Sequence, residues 1–412
     1  MSMKIVVMKF GGTSVANVQK IQNVAKTVIN QSKKNKVIVV LSAMAGVTNQ
    51  LQTYIDEINL TFSSSFTASN ESDMVMTSGE QVTVGLLSMI LRKQGIKSIP
   101  LLGWQIPIIT DSNYDKSRIL NINNENIFDY FKTHDVIVLA GFQGINTEGK
   151  ITSLGRGGSD TTAVAIAASL GADRCDIYTD VEGVFTTDPN IESNANKIDK
   201  LAYEEMLEMS STGTKVLQTR SVELAMKNNL TLQVLSSLTN KRGTYVINEN
   251  RLIEKEIVSG VSYSKNESKI SISGIPDKPG ISAIIFGLMA SNNINVDMIV
   301  QNISQDGINA NITFTVQNKD LYFAKKIIED RNKILNYINL TTDSDIAKIS
   351  VIGMGMMSQS GVAEKMFKTL AENKINILAI STSEIKISVL IKKKYADLSI
   401  KSLHNVYKLA KR

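Results

Sequence analysis

The chain has 412 residues, 43% of them apolar and 20% charged, which excludes disorder as the dominant state and allows two to four domains. One cysteine (Cys175) excludes an intrachain disulfide and a cysteine zinc site, and two histidines (His134, His404) exclude a histidine-rich metal centre. The net charge of +6 is scattered, with Lys392–Lys394 the one basic run, and the longest apolar runs fall short of the ~18 residues of a membrane span; neither nucleic acid nor membrane is an expected partner, and a cytoplasmic protein is expected.

Lys4–Lys9 is a short β-rich run ending at Gly11-Gly12. Val15–Asn30 follows, with Val15, Val18, Ile21, Val24, Ala25 and Val28 at helical spacing. Val37–Leu41 and Val136–Ala140 have the length of buried strands, and Thr83–Lys93 reads as a helix ended by Gly95. Asp160–Leu170 is an alanine-rich helix closed by Gly171. Strands alternating with helices argue an α/β domain with a mostly parallel sheet. Tyr203–Met209 and Lys215–Asn228 add two helices, and the strand Thr244–Ile247 brings this domain to its end near residue 248.

The second half repeats itself. Lys269-Ile270-Ser271 matches Lys348-Ile349-Ser350, and Gly280, Phe286 and Ile294-Asn295 recur at Gly361, Phe367 and Ile375-Asn376. Each copy reads as a strand, a glycine loop, a helix and two strands (the last being Ile308–Val316 and Ile385–Ile391), followed by a helix at Leu321–Ile328 or Tyr395–Leu409. This is the ferredoxin-like βαββαβ plan, twice in tandem. No catalytic residue types recur in it, so ligand binding or assembly is the expected role. Ile257–Tyr263 is a candidate extra strand for one of the two sheets.

Two glycine loops, each with a cation and each opening a helix, are candidates for binding a phosphate or carboxylate; singly, each also fits an ordinary turn into a helix. In Lys9-Phe10-Gly11-Gly12-Thr13-Ser14 the glycines let backbone N–H groups approach an anion, and a lysine beside the turn suits a transferring phosphoryl group. Gly155-Arg156-Gly157-Gly158-Ser159-Asp160 leads into a helix with Ser159 or Asp160 as its expected N-cap, and its arginine can take a carboxylate in two parallel bonds. Asp180, after the strand Asp176–Tyr178, places a carboxylate where α/β folds bind ligands. Gly144 to Lys150 has P-loop spacing, but Ile151 stands where the magnesium hydroxyl belongs, so Asn146–Gly149 reads as a hairpin turn.

Lys9–Ser14, Ser42-Ala43-Met44, Ser78-Gly79-Glu80, Gly155–Thr162 and Thr179–Pro189 together resemble the monofunctional aspartate kinase family of the amino-acid kinase superfamily. The repeats, with Gly274–Gly280, Asn295–Gln301 and Ile380–Ser388, resemble its two regulatory ACT modules. The resemblance implies an α/β amino-acid kinase fold at residues 1–248, a mostly parallel sheet sandwiched by helices, and ACT domains at 262–342 and 345–412. It implies transfer of the γ-phosphoryl of ATP, with Mg²⁺, to the side-chain carboxylate of L-aspartate. Lys9, Asp160 and Lys215 would then be catalytic. Ser42, Thr48, Glu80, Arg156, Gly157, Gly158 and Ser159 would bind aspartate. Lys9, Phe10, Gly11, Gly12, Thr179, Asp180, Phe185, Asp188 and Lys215 would bind ATP. A regulatory lysine or threonine would meet Asp277, Pro279, Gly280, Asn295, Val296, Asp297, Gln301, Val362, Asn376, Ile377, Ser383 and Glu384, in a homodimer or larger homo-oligomer joined through the ACT domains. The sequence departs from the family at Phe185, Asn190 and Gln218, where Tyr, Arg and His are common, all on the nucleotide side. A catalytically silent amino-acid sensor of the same fold is the alternative reading.

Overall fold

Val37–Leu41 and Val136–Ala140 are buried at every position, which requires a sheet covered on both faces. The computed structural model describes residues 4–61, 69–212, 216–239, 241–251, 257–304 and 307–410. It divides into two units: Met1–Val184, Lys197–Ser210 and Lys215–Ile253 in one, and Phe185–Asn196, Ser211–Thr214 and Glu254–Arg412 in the other.

In chain order the first part contains β1 (Lys4–Phe10), α1 (Val18–Ser32), β2 (Asn35–Leu41), α2 (Val47–Thr61), α3 (Asn70–Met76), α4 (Gly79–Lys93) and β3 (Ser98–Leu101). Next come β4 (Ile108–Thr110), β5 (Ile119–Ile122), α5 (Glu125–Thr133), β6 (Val136–Ala140), β7 (Gln143–Ile145), β8 (Ile151–Ser153), α6 (Gly158–Ser169) and β9 (Arg174–Thr179). It closes with β10 (Lys200–Ala202), α7 (Tyr203–Ser211), α8 (Thr219–Lys227), β11 (Leu232–Ser236) and β12 (Thr244–Ile247). The main sheet runs β10-β12-β11-β9-β1-β2-β6-β3 and is parallel throughout except between β11 and β12. Its core joins the inner faces of β1, β2 and β6 to α1 and α4 through Met8, Val39, Val138, Ile21, Val24 and Leu87. A smaller sheet, β5-β4-β7-β8, contains the hairpin expected at Asn146–Gly149: β7 pairs antiparallel with β8.

Two local expectations shift. Helix α1 begins at Val18, because the Asn17 side chain accepts from the Lys20 N–H and caps it there; Gly12–Val15 forms a separate single 3-10 turn. The stretch Asn70–Lys93 is long and apolar enough to cross a membrane by length and composition alone. A turn at Thr77-Ser78 breaks it into α3 and α4, and it holds the buried carboxylates Asp73 and Glu80, so no uninterrupted apolar run marks it in the sequence.

The second unit holds β13 (Gly260–Ser264), β14 (Glu267–Pro276), α9 (Ile281–Ser291), β15 (Val296–Ile303), β16 (Asn309–Gln317), α10 (Leu321–Glu329), α11 (Asn332–Leu335) and β17 (Asn339–Asp343). Then follow β18 (Ile346–Ile352), α12 (Val362–Glu372), β19 (Ala379–Thr382), β20 (Lys386–Lys392) and α13 (Ala396–Val406). Two sheets form, β15-β16-β14-β17 and β19-β20-β18-β13. The repeat extends to the backbone: Gly280 (φ 94°) and Gly361 (φ 93°) both precede a helix in the left-handed region, and Asn293 (φ 55°) and Lys374 (φ 57°) both follow one. The modules are not simple tandem beads, however. The fourth strand of the second sheet is β13, which precedes the whole first module, so the first module is inserted into the second.

Candidate functional site

Lys9 stands near the C-terminal end of β1, in the middle of the main sheet, where parallel strands deliver side chains to a common edge. Its Nζ lies 2.6 Å from Asp160 Oδ1, and both side chains are largely buried. Removing one partner of such a pair strands the other charge in a poorly solvated place. Phe10, the next residue, stacks on Tyr178 of β9 at 4.4 Å between ring centroids, which fixes the strand end. At Gly12 a Cβ would stand 2.9 Å from the Ala43 carbonyl oxygen, so only glycine admits this close approach of the Ser42-Ala43 turn. The Gly11 N–H is engaged, donating to the Tyr178 carbonyl at 3.3 Å. The expected anion cradle is therefore a single 3-10 turn beside the lysine, and not the start of a long helix.

The second glycine loop folds differently from its expected cap. Gly155 (φ 74°) and Gly157 (φ 73°) are both left-handed, and Gly157 is the N-cap of α6. Ser159 and Asp160 lie in the first turn of the helix, which leaves the Asp160 carboxylate to Lys9. A Cβ on Gly157 would fall 1.9 Å from Cγ of Gln218, so Gln218 from the start of α8 packs directly over this loop.

Glu80 opens α4 and is 2% exposed. Its Oε1 accepts from the Ala43 N–H at 3.0 Å, while Oε2 is buried with no hydrogen-bond partner. Burial pushes this carboxyl up to about 8. The Thr83 hydroxyl donates to the Ser42 carbonyl, tying the same helix to the same turn.

These groups converge on a cavity of about 480 Å³. Lys9, Ser42, Thr48, Glu80, Arg156, Gly157, Gly158 and Ser159 all line it. Six more side chains that the sequence did not single out join them: Asn49, Gln52, Met76, Asp115, Lys116 and Phe142. Cations and a single deeply buried carboxylate with a spare oxygen suit a small zwitterion that carries extra negative charge.

The other expected residues lie elsewhere. The Thr179 hydroxyl donates to the Asp180 carboxylate, at the end of β9. Phe185 and Asp188 belong to the Phe185–Asn196 segment of the second unit, where Asp188 accepts from the Tyr263 hydroxyl at 3.0 Å and from the Asn190 N–H. Lys215 lies outside the described residues. In the second unit, Asp277, Pro279 and Gly280 lead into α9, and Asn295 leads into β15, which carries Val296, Asp297 and Gln301. Val362 opens α12, Asn376 and Ile377 follow it, and Ser383 and Glu384 connect β19 to β20. Asp297 has an internal cation: buried Lys348 of β18 sits between it and Glu267. Gln301 accepts from the Ser282 hydroxyl at 2.9 Å.

The amino acid kinase family matches residues 4–236, and the ACT domain matches residues 270–331 and 349–407. An aspartate kinase of Pseudomonas fluorescens (strain SBW25) is 46% identical over 99% of this chain and 98% of its own length. E. coli aspartokinase III in complex with aspartate and ADP (R-state) superposes with a TM-score of 0.81 at 24% identity, over 98% of this chain and 99% of that one. The same enzyme in complex with lysine and aspartate (T-state) gives a TM-score of 0.75 at 24% identity, over 97% and 99%. At that identity the two structures speak for the fold.

Proposed function

The chain belongs to the aspartate kinases, within the amino acid kinase family, and from that premise we propose how its residues carry the reaction. It transfers the γ-phosphoryl group of ATP to the side-chain carboxylate of L-aspartate, giving 4-phospho-L-aspartate and ADP, and its ACT modules fit allosteric control of that step. One observation carries the assignment: Lys9, held by buried Asp160, lines the same cavity as Arg156 and as Glu80, whose buried Oε2 is unpartnered.

Arg156 grips the α-carboxylate of aspartate in a bidentate pair, and Glu80 Oε2 takes its ammonium. The side-chain carboxylate is then directed towards Lys9. Lys9 stabilises the charge that spreads over the equatorial phosphoryl oxygens, and Asp160 holds its ammonium in place. Ser42, Thr48 and Ser159 complete the polar lining. No covalent bond to the enzyme is needed, because the acceptor oxygen is on the substrate; catalysis is positioning and electrostatics. Thr179, Asp180, Phe185, Asp188 and Lys215 would face the nucleotide. Mg²⁺ would arrive on the phosphates and neutralise part of their charge; no group of three or more His, Cys, Asp or Glu side chains converges among the described residues to cage it. Lysine, threonine or both would act at the ACT modules of a cytoplasmic homodimer or larger homo-oligomer.

An acyl-phosphate trap tests the reaction. With Mg·ATP, L-aspartate and hydroxylamine the protein should form aspartyl hydroxamate, and no product with L-glutamate. Lys9→Ala should lower kcat by about 10²–10³, the cost of removing one transition-state charge stabiliser. A chain that forms no hydroxamate from either amino acid would be the silent sensor instead.

A further inference from the structure

Asp73 is 1% exposed, on α3, and has no place in the chemistry described above. Its carboxylate is saturated. The Ser153 N–H (2.7 Å) and hydroxyl (2.7 Å) donate to it from β8, and the Asp115 N–H donates to both oxygens at 3.1 and 3.2 Å. Asp115 is a non-glycine residue at φ 66°, a conformation that persists only where its surroundings hold it. Both loops so tied lead directly to the cavity: Asp115 and Lys116 line it, and Ser153 is followed by Leu154 and the lining residues Gly155 and Arg156.

The two loops press on each other. A Cβ on Gly155 would stand 2.7 Å from the Asp115 carbonyl oxygen, and the Ser117 N–H donates to the Ser153 carbonyl at 2.9 Å. A second, half-buried charge also holds both loops. Arg220 of α8 donates to the carbonyls of Leu154 (3.1 Å) and Ser117 (3.0 Å), one bond to each loop. An anion on α3 thus collects N–H donors, and a cation on α8 collects carbonyls, from the same pair of loops.

We propose that Asp73 is a positioning residue for the amino-acid substrate, fixing Asp115 and Ser153 so that Lys116 and Arg156 are held in register at the cavity wall. Charge-assisted bonds to backbone N–H groups are strong and geometrically strict, and no neutral side chain of this size accepts all of them. The amide introduced by Asp73→Asn would turn a donor towards one of these N–H groups. The inference rests on the aspartate kinase reading and adds a residue that never touches substrate.

The test is steady-state kinetics of the full chain in the hydroxamate assay, with wild type, Asp73→Asn and Ser153→Ala, beside thermal unfolding of each. Wild type must first form aspartyl hydroxamate; its failure would reject the kinase reading and leave the variants without bearing on it. Given that, Asp73→Asn should raise the KM for aspartate about tenfold or more, with the KM for ATP within about twofold and kcat within about threefold. Ser153→Ala, which removes one bond and keeps the carboxylate, should raise the aspartate KM about two- to fivefold by the same logic. If Asp73→Asn does not fold, Ser153→Ala decides. An unchanged aspartate KM in the folded variants, or a parallel rise for aspartate and ATP, would overturn the proposal and leave Asp73 a packing residue.

Discussion

In its proposed role of holding the substrate ammonium, Glu80 would couple pH, stability and substrate through one side chain. Its carboxyl must be ionised to hold an ammonium, yet burial raises it to about 8. Below that pH the empty pocket holds a proton that aspartate must displace, so the KM for aspartate should fall as pH rises from 6.5 to 8.5, by up to about tenfold per unit below the pKa. Stability of the empty protein runs the opposite way. Between the ordinary value of 4.5 and about 8 the native state binds the proton and the unfolded state does not, so stability declines as pH rises through that window. Glu80→Gln should therefore be more stable than wild type at pH 8.5 by about 1–3 kcal/mol, the cost of the stranded carboxylate, while its aspartate KM rises about a hundredfold and loses its pH dependence. Equal unfolding midpoints at pH 8.5 would mean that the carboxylate is better solvated than its burial indicates.

Gly157 makes a second residue-scale case. Its replacement by alanine meets two obstacles, a left-handed backbone and the Gln218 side chain at 1.9 Å from the new Cβ. Gly157→Ala should lower kcat/KM for aspartate about a hundredfold, since the loop carries Arg156. Adding Gln218→Ala should restore only part of it, because the left-handed penalty of about 1–2 kcal/mol stays. Complete restoration would show that crowding alone matters. Lys9 and Arg156 were legible as candidates because each lies within two residues of a glycine pair, and the two loops together suggested anion binding. Asp73 and Arg220 carry no such flag. Each acts on backbone atoms that are distant in sequence, and such bonds leave no local pattern.

At the scale of elements, Val37–Leu41 and Val136–Ala140 were legible because burial on both faces forces a continuous apolar run, whereas β11, largely buried but interrupted by Gln233, and the short β3 and β10 were not. The short strands β4, β5, β7 and β8 were not, apart from the turn at Asn146–Gly149; three or four residues cannot establish a period. The repeat with its matching glycines gave both βαβ cores of the second half. It did not assign β13, because the partner of that strand is chosen by long-range pairing. β13 covers the outer edge of β18, with Val261 buried opposite Val351 and its N–H donating to the Thr186 carbonyl at 2.7 Å. Val261→Pro should cost about 3 kcal/mol or more by removing that donor and distorting the strand. It should also bare part of an edge that can pair with another chain, so thermal unfolding and light scattering should change together. A lower midpoint with no increase in scattering would limit the damage to β13 itself.

For the whole molecule, a single boundary near residue 248 understates how the chain is shared. Phe185–Asn196 leaves the first unit directly after the β9 end and the Asp180 turn, and joins the unit that contains the ACT modules. Thr186 in that segment bonds buried His404 of α13 at 2.9 Å, and Ala195 bridges to Ala410. Sequence reading had no means to see this, since Phe185–Pro189 carries the motif of the catalytic half while its contacts are set by residues two hundred positions away. In the hydroxamate assay, millimolar lysine or threonine should suppress turnover; unchanged rates with either and with both together would remove feedback control from the proposed function.

The insertion of one ACT module inside the other also imposes an order on synthesis. Roughly 80 residues separate the end of β13 from the start of β18, and all of the first module lies between them. At ~5–20 residues per second, β13 is made several seconds before its partner strand exists. The inserted module can close while the chain is still growing, but the outer one cannot begin its sheet until β18 is made, so the nascent protein carries an unmatched strand throughout that interval.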